Sequence, residues 1–154
     1  MKIKLLVMDV DGTLTDGKIY MGADGELMKA FDAKDGYAIA HILPQYGITP
    51  VIITGRKSKI IMRRAKELHI TDLYQGVKDK LAQLKGVAEK YEADSAEIAY
   101  IGDDLNDLPC IEYCGLTACP RDAVDQVKTK VDYVCEQDGG QGAVRGFIQW
   151  IVEE

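Results

Sequence analysis

The segment "VMDVDGTLTDG", residues 7–17, sets two carboxylates, Asp9 and Asp11, one residue apart directly after an apolar run. Like charges that close raise each other's pKa, so the pair needs a nearby cation or a shared proton. A second acidic group, Asp103, Asp104 and Asp107 in "GDDLND", again stands directly after an apolar run. Between the two, "ITGR" leaves Thr54, Gly55 and Arg56 at the end of another run, and Lys80 opens a helical pattern after "GVKD". Converging carboxylates repel unless a hard cation sits among them, and oxygen ligands of this kind suit Mg²⁺. A metal, a hydroxyl and an ammonium around one carboxylate form a phosphate site with a nucleophile inside it. On this reading Asp9 attacks phosphorus. Asp11 reaches the leaving oxygen, first as general acid and then as general base. Thr54, the backbone N–H groups at Gly55, and Lys80 take the phosphoryl oxygens.

These groups need a frame that brings them to one place. The runs IKLLVM, TPVIIT and EIAYIG, with the shorter GLTA and DYVC, are continuously apolar rather than alternating. That pattern suits strands buried on both faces of a parallel sheet. Helical patterns lie between them, at Tyr37–Gln45, Lys57–Leu68, Lys78–Tyr91, Asp107–Tyr113, Asp122–Lys128 and Ala143–Val152. The alternation predicts an α/β fold, a Rossmann-like parallel sheet sandwiched by helices with right-handed crossovers. In such sheets ligands bind beyond the carboxyl ends of the strands, where the acidic groups, Thr54 and Arg56 all fall. Residues 18–32, "KIYMGADGELMKAFD", read as a projecting β-hairpin turning at Ala23-Asp24-Gly25. The hairpin and one helix use up the chain between Asp11 and the second run, which leaves no room for a cap domain.

Composition bounds the rest. With 154 residues, 47% hydrophobic and 29% charged, one domain over residues 1–154 is expected. A net charge of -6 argues against a nucleic-acid partner, which calls for a basic footprint. The first apolar run is too short for a signal peptide or a membrane span, so the reading is a cytoplasmic protein with no membrane partner. Cys110, Cys114, Cys119 and Cys135 form no CxxC pair and read as small buried thiols. His41 and His69 have no partner signal, and Arg63 and Arg64 read as a solvated helix face.

The four motifs, in this order, resemble those of the haloacid dehalogenase (HAD) superfamily of phosphohydrolases: "DVDGTLTDG", "ITG", Lys80 and "GDDLND". More narrowly, "DGKIYMGADGELMKAFDAKDGYAI", "IITGRKSK", "LYQGVKDKL", "AYIGDDLND" and "GGQGAVR" resemble the 3-deoxy-D-manno-octulosonate 8-phosphate (KDO 8-phosphate) phosphatase family over nearly the whole chain. The resemblance implies an HAD-like fold without a cap and an Mg²⁺-dependent phosphatase of lipopolysaccharide synthesis, assembled as a homotetramer. It implies that Asp9, Asp103 and the Asp11 carbonyl hold the metal, with Asp104 and Asp107 behind them. It also leans Arg56 towards an eight-carbon substrate. The alternative substrate is the phosphate of a nine-carbon keto-deoxy sugar acid.

Two other classes share these residue types. A phospho-accepting receiver has its acidic pair adjacent after the first strand and its acceptor on a later one, an order this chain does not follow. A catalytically idle scaffold of the same fold has no support while every motif residue is present. Two expectations concern the substrate's far end and its cover. Arg145, after "DGGQGAV", is the expected partner of the sugar-acid carboxylate, since a guanidinium binds carboxylates bidentately. The hairpin's Ile19, Tyr20, Met21, Leu27, Met28 and Phe31 offer more apolar surface than a free ribbon should, so it is expected to pack on a neighbouring subunit and roof that subunit's site.

Overall fold

All but two of the strands join a single sheet in a computed structural model of the chain, which describes residues 2–153. Strands β1 (Leu5–Met8), β4 (Thr49–Ile53), β5 (Asp72–Tyr74), β6 (Ile98–Ile101), β7 (Leu116–Cys119) and β8 (Tyr133–Val134) form one parallel sheet in the order β5-β4-β1-β6-β7-β8. Strands β2 (Tyr20–Gly22) and β3 (Gly25–Met28) form a separate antiparallel hairpin. Helices α1 (Ala33–Tyr37), α2 (Lys59–Glu67), α3 (Lys80–Lys90), α4 (Leu108–Tyr113), α5 (Asp125–Lys128) and α6 (Ala143–Glu153) cover the two faces of the larger sheet.

The continuous apolar runs follow from that double cover. Leu6 and Met8 of β1 point into a cluster with Ile52, Ile101, Phe147 and Ile148, while Leu5 and Val7 point into another with Val51, Ile53, Leu84 and Tyr100. Alternate residues of one strand therefore feed opposite cores, and neither face is left for polar side chains.

The order of the strands decides where chemistry collects. β1 lies between β4 and β6, so the residues after these three strands are neighbours at one edge. Capping then sets the helix that supplies the cation: Asp79 accepts from the Ala82 amide and starts α3 at Lys80. Ser58 does the same for α2 through the amides of Ile60 and Ile61.

The structure departs from the sequence reading in four places. β5 was not expected, because Asp72-Leu73-Tyr74 lacks an apolar run. Its Asp72 is buried yet satisfied by Lys90 and by the hydroxyls of Tyr74 and Tyr91, which allows a carboxylate in an edge strand. The first helical segment begins at Ala33, earlier than Tyr37, because Asp32 caps it by accepting from the amides of Lys34 and Asp35. It runs on as π-helical Ala38–Ile42 and 3₁₀-helical Leu43–Tyr46 before Gly47 ends it in a left-handed conformation. The helix expected over Asp122–Lys128 spans only Asp125–Lys128. In the hairpin, Gly22 pairs with Gly25, so the turn is made by Ala23 and Asp24, with Gly25 already in β3. Among the described residues no cap domain stands over the carboxyl edge of the sheet.

Candidate active site

Asp9, Asp11, Thr54, Gly55, Arg56, Asp103, Asp104 and Asn106 line one cleft of about 180 Å³ at the carboxyl ends of β1, β4 and β6. A larger opening of about 520 Å³ lies at the opposite end of the sheet, near Lys2, Ile48, Ala96 and Gly115, and carries no carboxylate among its lining residues. The motif residues Asp9, Asp11, Thr54 and Asp103 meet in the smaller cleft.

Asp9 forms the floor and is 6% exposed. Burial, and next the charge of Asp107, push its carboxyl up to about 6, against the pull of Lys80. Lys80, also buried, places Nζ 2.9 Å from Asp9 Oδ1 and 2.9 Å from Asp107 Oδ1. Burial acts to lower the Lys80 pKa, but the two carboxylates outweigh it and the ammonium is held above its usual range. Asp103 stands across from Asp9. Burial and the hydrogen bond and charge of Asp9 push it up to about 9, with the charges of Asp107 and Asp104 adding to the rise.

Oxygens of Asp9, Asp103 and Asp107 lie within 4.8 Å of one another, close enough to share one ion. Asp107 is spoken for, however. Its Oδ1 accepts from Lys80 Nζ and the Tyr100 hydroxyl, and its Oδ2 from the amides of Asp103 and Asp104. Four donors fill a carboxylate's lone pairs. Asp9 and Asp103 keep free lone pairs, so they suit a hard cation, while Asp107 fixes the loop that carries Asp103. Asp104 is exposed and caps the short turn Leu105–Asp107.

The loop after β1 is built around two constraints. Gly12 has φ +90°, and a Cβ there would collide with the Asp103 carboxylate. Only glycine lets the β1 loop approach Asp103 this closely. Thr13 donates to Asp103 Oδ1 at 3.4 Å from the same turn.

Thr54 is buried at the end of β4 and held by backbone bonds, its amide donating to Tyr74 and its carbonyl accepting from Val77. Arg56 is exposed beside it, with Nε 3.9 Å from Asp11 Oδ2. Asp11 Oδ1 accepts from Lys29 Nζ at 2.6 Å, and Lys29 reaches Glu26 Oε2 at 2.9 Å. Glu26 Oε1 accepts in turn from the Ser58 hydroxyl at 2.6 Å.

The structure therefore brings Asp9, Asp11, Thr54, Gly55, Arg56, Lys80, Asp103, Asp104 and Asp107 to one edge. Arg145 is not among them. Its amide donates to Asp35 Oδ1, its Nη1 approaches the Lys34 carbonyl at 3.5 Å, and its guanidinium lies over the Tyr37 ring. It is occupied against α1, away from the cleft lining. Sequence reasoning missed Lys29, Glu26, Tyr100 and Asn106. Asn106 stood inside "GDDLND" and was open to notice. A tyrosine inside a buried strand and a lysine on a hairpin carry no local signal.

A family model for haloacid dehalogenase-like hydrolases matches residues 59–147. The 3-deoxy-D-manno-octulosonate 8-phosphate phosphatase of Escherichia coli K12 is 46% identical over 143 residues, which cover 93% of this chain and 76% of that one. The chain belongs to the KDO 8-phosphate phosphatases of the haloacid dehalogenase-like hydrolases. The crystal structure of the Yersinia pestis phosphatase superposes with a TM-score of 0.94 at 43% identity, covering 98% of this chain and 81% of that one. The Moraxella catarrhalis phosphatase, solved with a magnesium ion, a phosphate ion and a KDO molecule, superposes with a TM-score of 0.93 at 42% identity, covering 98% and 86%. Membership of this family rules out the receiver reading.

The cysteines are free, as expected: Cys110, Cys119 and Cys135 are buried, Cys114 partly so. Burial pushes the thiols up, Cys110 and Cys135 to about 12 and Cys119 to about 11, so they stay neutral. His41 and His69 are exposed. Arg63 is solvated, but Arg64 is half-buried over the Phe31 ring, a correction to the solvated face expected for both.

Proposed function

We propose that this chain removes phosphate from KDO 8-phosphate through an aspartyl-phosphate on Asp9. The observation that carries the reading is the buried Asp9 carboxylate at the floor of the cleft, held by Lys80 and faced by Asp103 and Asp11. Asp9 bonds to phosphorus as the ester P–O bond breaks, and the proton of Asp11 goes to the leaving sugar oxygen. Water then bonds to phosphorus, gives its proton back to Asp11, and frees Asp9 and inorganic phosphate. The residues fit Mg²⁺, held by Asp9, Asp103 and the Asp11 carbonyl; when bound it neutralises charge on the phosphoryl oxygens. Lys80, Thr54 and the Gly55 amide take the remaining phosphoryl oxygens.

Arg56 is the exposed cation at the mouth of the cleft and suits the sugar-acid end of the substrate better than Arg145, which is held against α1. Met21, Leu27 and Met28 of the hairpin are more than half exposed. Exposed apolar side chains of this size favour packing of the hairpin against another copy, and a homotetramer is the assembly we propose for it. No helix among the described residues is long and apolar enough to cross a membrane. We place the enzyme in the cytoplasm, with no nucleic-acid partner.

The deciding experiment compares kcat/KM for eight-carbon and nine-carbon keto-deoxy sugar acid phosphates under Mg²⁺. The eight-carbon substrate is expected to lead. A lead for the nine-carbon phosphate overturns the substrate, and no turnover of either overturns the enzyme reading in favour of an idle scaffold.

A further inference from the structure

Lys29 is the best-buried cation near the cleft apart from Lys80, its side chain 3% exposed, and nothing in the phosphate chemistry uses it. Two of its three N–H donors are taken, by Asp11 Oδ1 at 2.6 Å and Glu26 Oε2 at 2.9 Å, so its charge is spent within the chain. Glu26 is itself fixed by the Ser58 hydroxyl, which also caps α2. The result is a relay of contacts from the N-terminus of a helix, through the hairpin, to the side chain of Asp11. Arg56, 46% exposed and 3.9 Å from Asp11 Oδ2, sits on the opposite side of the same carboxylate.

The two oxygens of Asp11 therefore differ. Oδ1 is tied down by the buried lysine, while Oδ2 accepts no hydrogen bond among the described residues, and Asp11 lines the cleft. An acid that serves a leaving group needs one oxygen free to carry the proton and a fixed carboxyl plane to aim it. We infer that Lys29 is a positioning residue for Asp11: it holds Oδ1 so that Oδ2 delivers the proton to the leaving oxygen, and Glu26 holds Lys29 in turn. The hairpin thus has a task inside its own chain besides presenting an apolar face.

The inference rests on the reading of Asp11 as acid and base, and the test separates the two. Steady-state kinetics are measured on the keto-deoxy sugar phosphate and on p-nitrophenyl phosphate, whose leaving group needs little protonation. Asp11→Asn should lose roughly 10²–10⁴-fold in kcat on the sugar phosphate and far less on the nitrophenyl ester. Lys29→Met should lose about 10- to 100-fold in kcat on the sugar phosphate and less than about threefold on the nitrophenyl ester, a fraction of the whole acid effect. Lys29→Arg should recover most of the loss. In an Asp11→Asn background, Lys29→Met should cost nothing further, since a residue acting through Asp11 has nothing left to act on. Equal losses by Lys29→Met on both esters, or an undiminished loss in that background, overturn the positioning role and leave the acid role standing. Equal losses by Asp11→Asn on both esters overturn both. Should Lys29→Met fail to fold by circular dichroism, the partly exposed Glu26→Gln carries the same test, with the same leaving-group bias expected and an unbiased loss counting against.

Discussion

Lys80 Nζ lies 2.9 Å from Asp9 Oδ1 on a side chain that is nearly sealed from water, seventy-one residues away in sequence. A buried ion pair with its remaining donors satisfied is weak evidence of net stability, but removing one partner strands the other. Lys80→Met leaves Asp9 and Asp107 without their shared cation. The expected outcome is a loss of about 3–5 kcal/mol of folding stability in chelator, read by urea unfolding. A loss below about 1 kcal/mol rules out the pair as a structural element.

Asp9→Asn keeps the shape of the side chain and removes the nucleophile. Turnover of the sugar phosphate should fall below about a hundredth of wild type while the thermal melt stays cooperative. Substantial residual activity in a well-folded variant shows that another group attacks phosphorus.

The crowding of Asp9 and Asp103 predicts an unusual pH dependence. Their carboxyls rise from 3.8 to about 6 and about 9, so in chelator the folded chain keeps protons that the unfolded chain has lost. More protons bound in the folded state means stability falls as pH rises, from about 4 to about 6 for Asp9 and on towards 9 for Asp103. Mg²⁺ should reverse the trend, because the cation favours the ionised forms. The Tm gain on adding Mg²⁺ should therefore grow between pH 5 and pH 8, a range chosen to span the rise of Asp9 to about 6. In chelator at the upper end of that range, Asp103→Asn should melt above wild type and gain nothing from Mg²⁺. A wild-type Tm in chelator that climbs with pH throughout contradicts the assignment.

Chelation should also stop catalysis. EDTA is expected to abolish turnover, Mg²⁺ to restore it, and Ca²⁺ to fail, since Ca²⁺ prefers looser and higher coordination. Full activity in EDTA refutes a metal at Asp9 and Asp103.

The hairpin face gives the last test. Leu27, 68% exposed, is the most exposed large apolar side chain of the hairpin. Leu27→Glu should shift sedimentation from a tetramer towards smaller species without unfolding the chain. A wild-type monomer that is fully active at assay concentration ends the assembly proposal.

The run of residues after each strand was open to reading because an order of local signals carries it. An apolar run buried on both faces must be a parallel strand, and a carboxylate directly after it must fall at the ligand-binding edge. Asp9, Asp11, Thr54 and Asp103 needed nothing more, since their positions follow from strand ends alone. Lys80 followed from its place near the start of a helical pattern, and the structure adds the cap at Asp79 that begins α3 there. β5 escaped because its Asp72 is satisfied by Tyr74, Lys90 and Tyr91, and the last two lie on or next to α3.

What the sequence by itself determined, then, is which residues the strands deliver to the cleft and what reaction their types permit. Only the tertiary structure decided how the side chains share the work. It took the crossover through α3 to fill Asp107 with donors and leave Asp103 free for a cation. It took the fold of the hairpin to set Lys29 against Asp11, and the packing of α6 on α1 to turn Arg145 away. A buried strand and the residues at its end are written in the local apolar pattern, whereas strand order and a contact between side chains distant in sequence exist only once the chain has closed on itself.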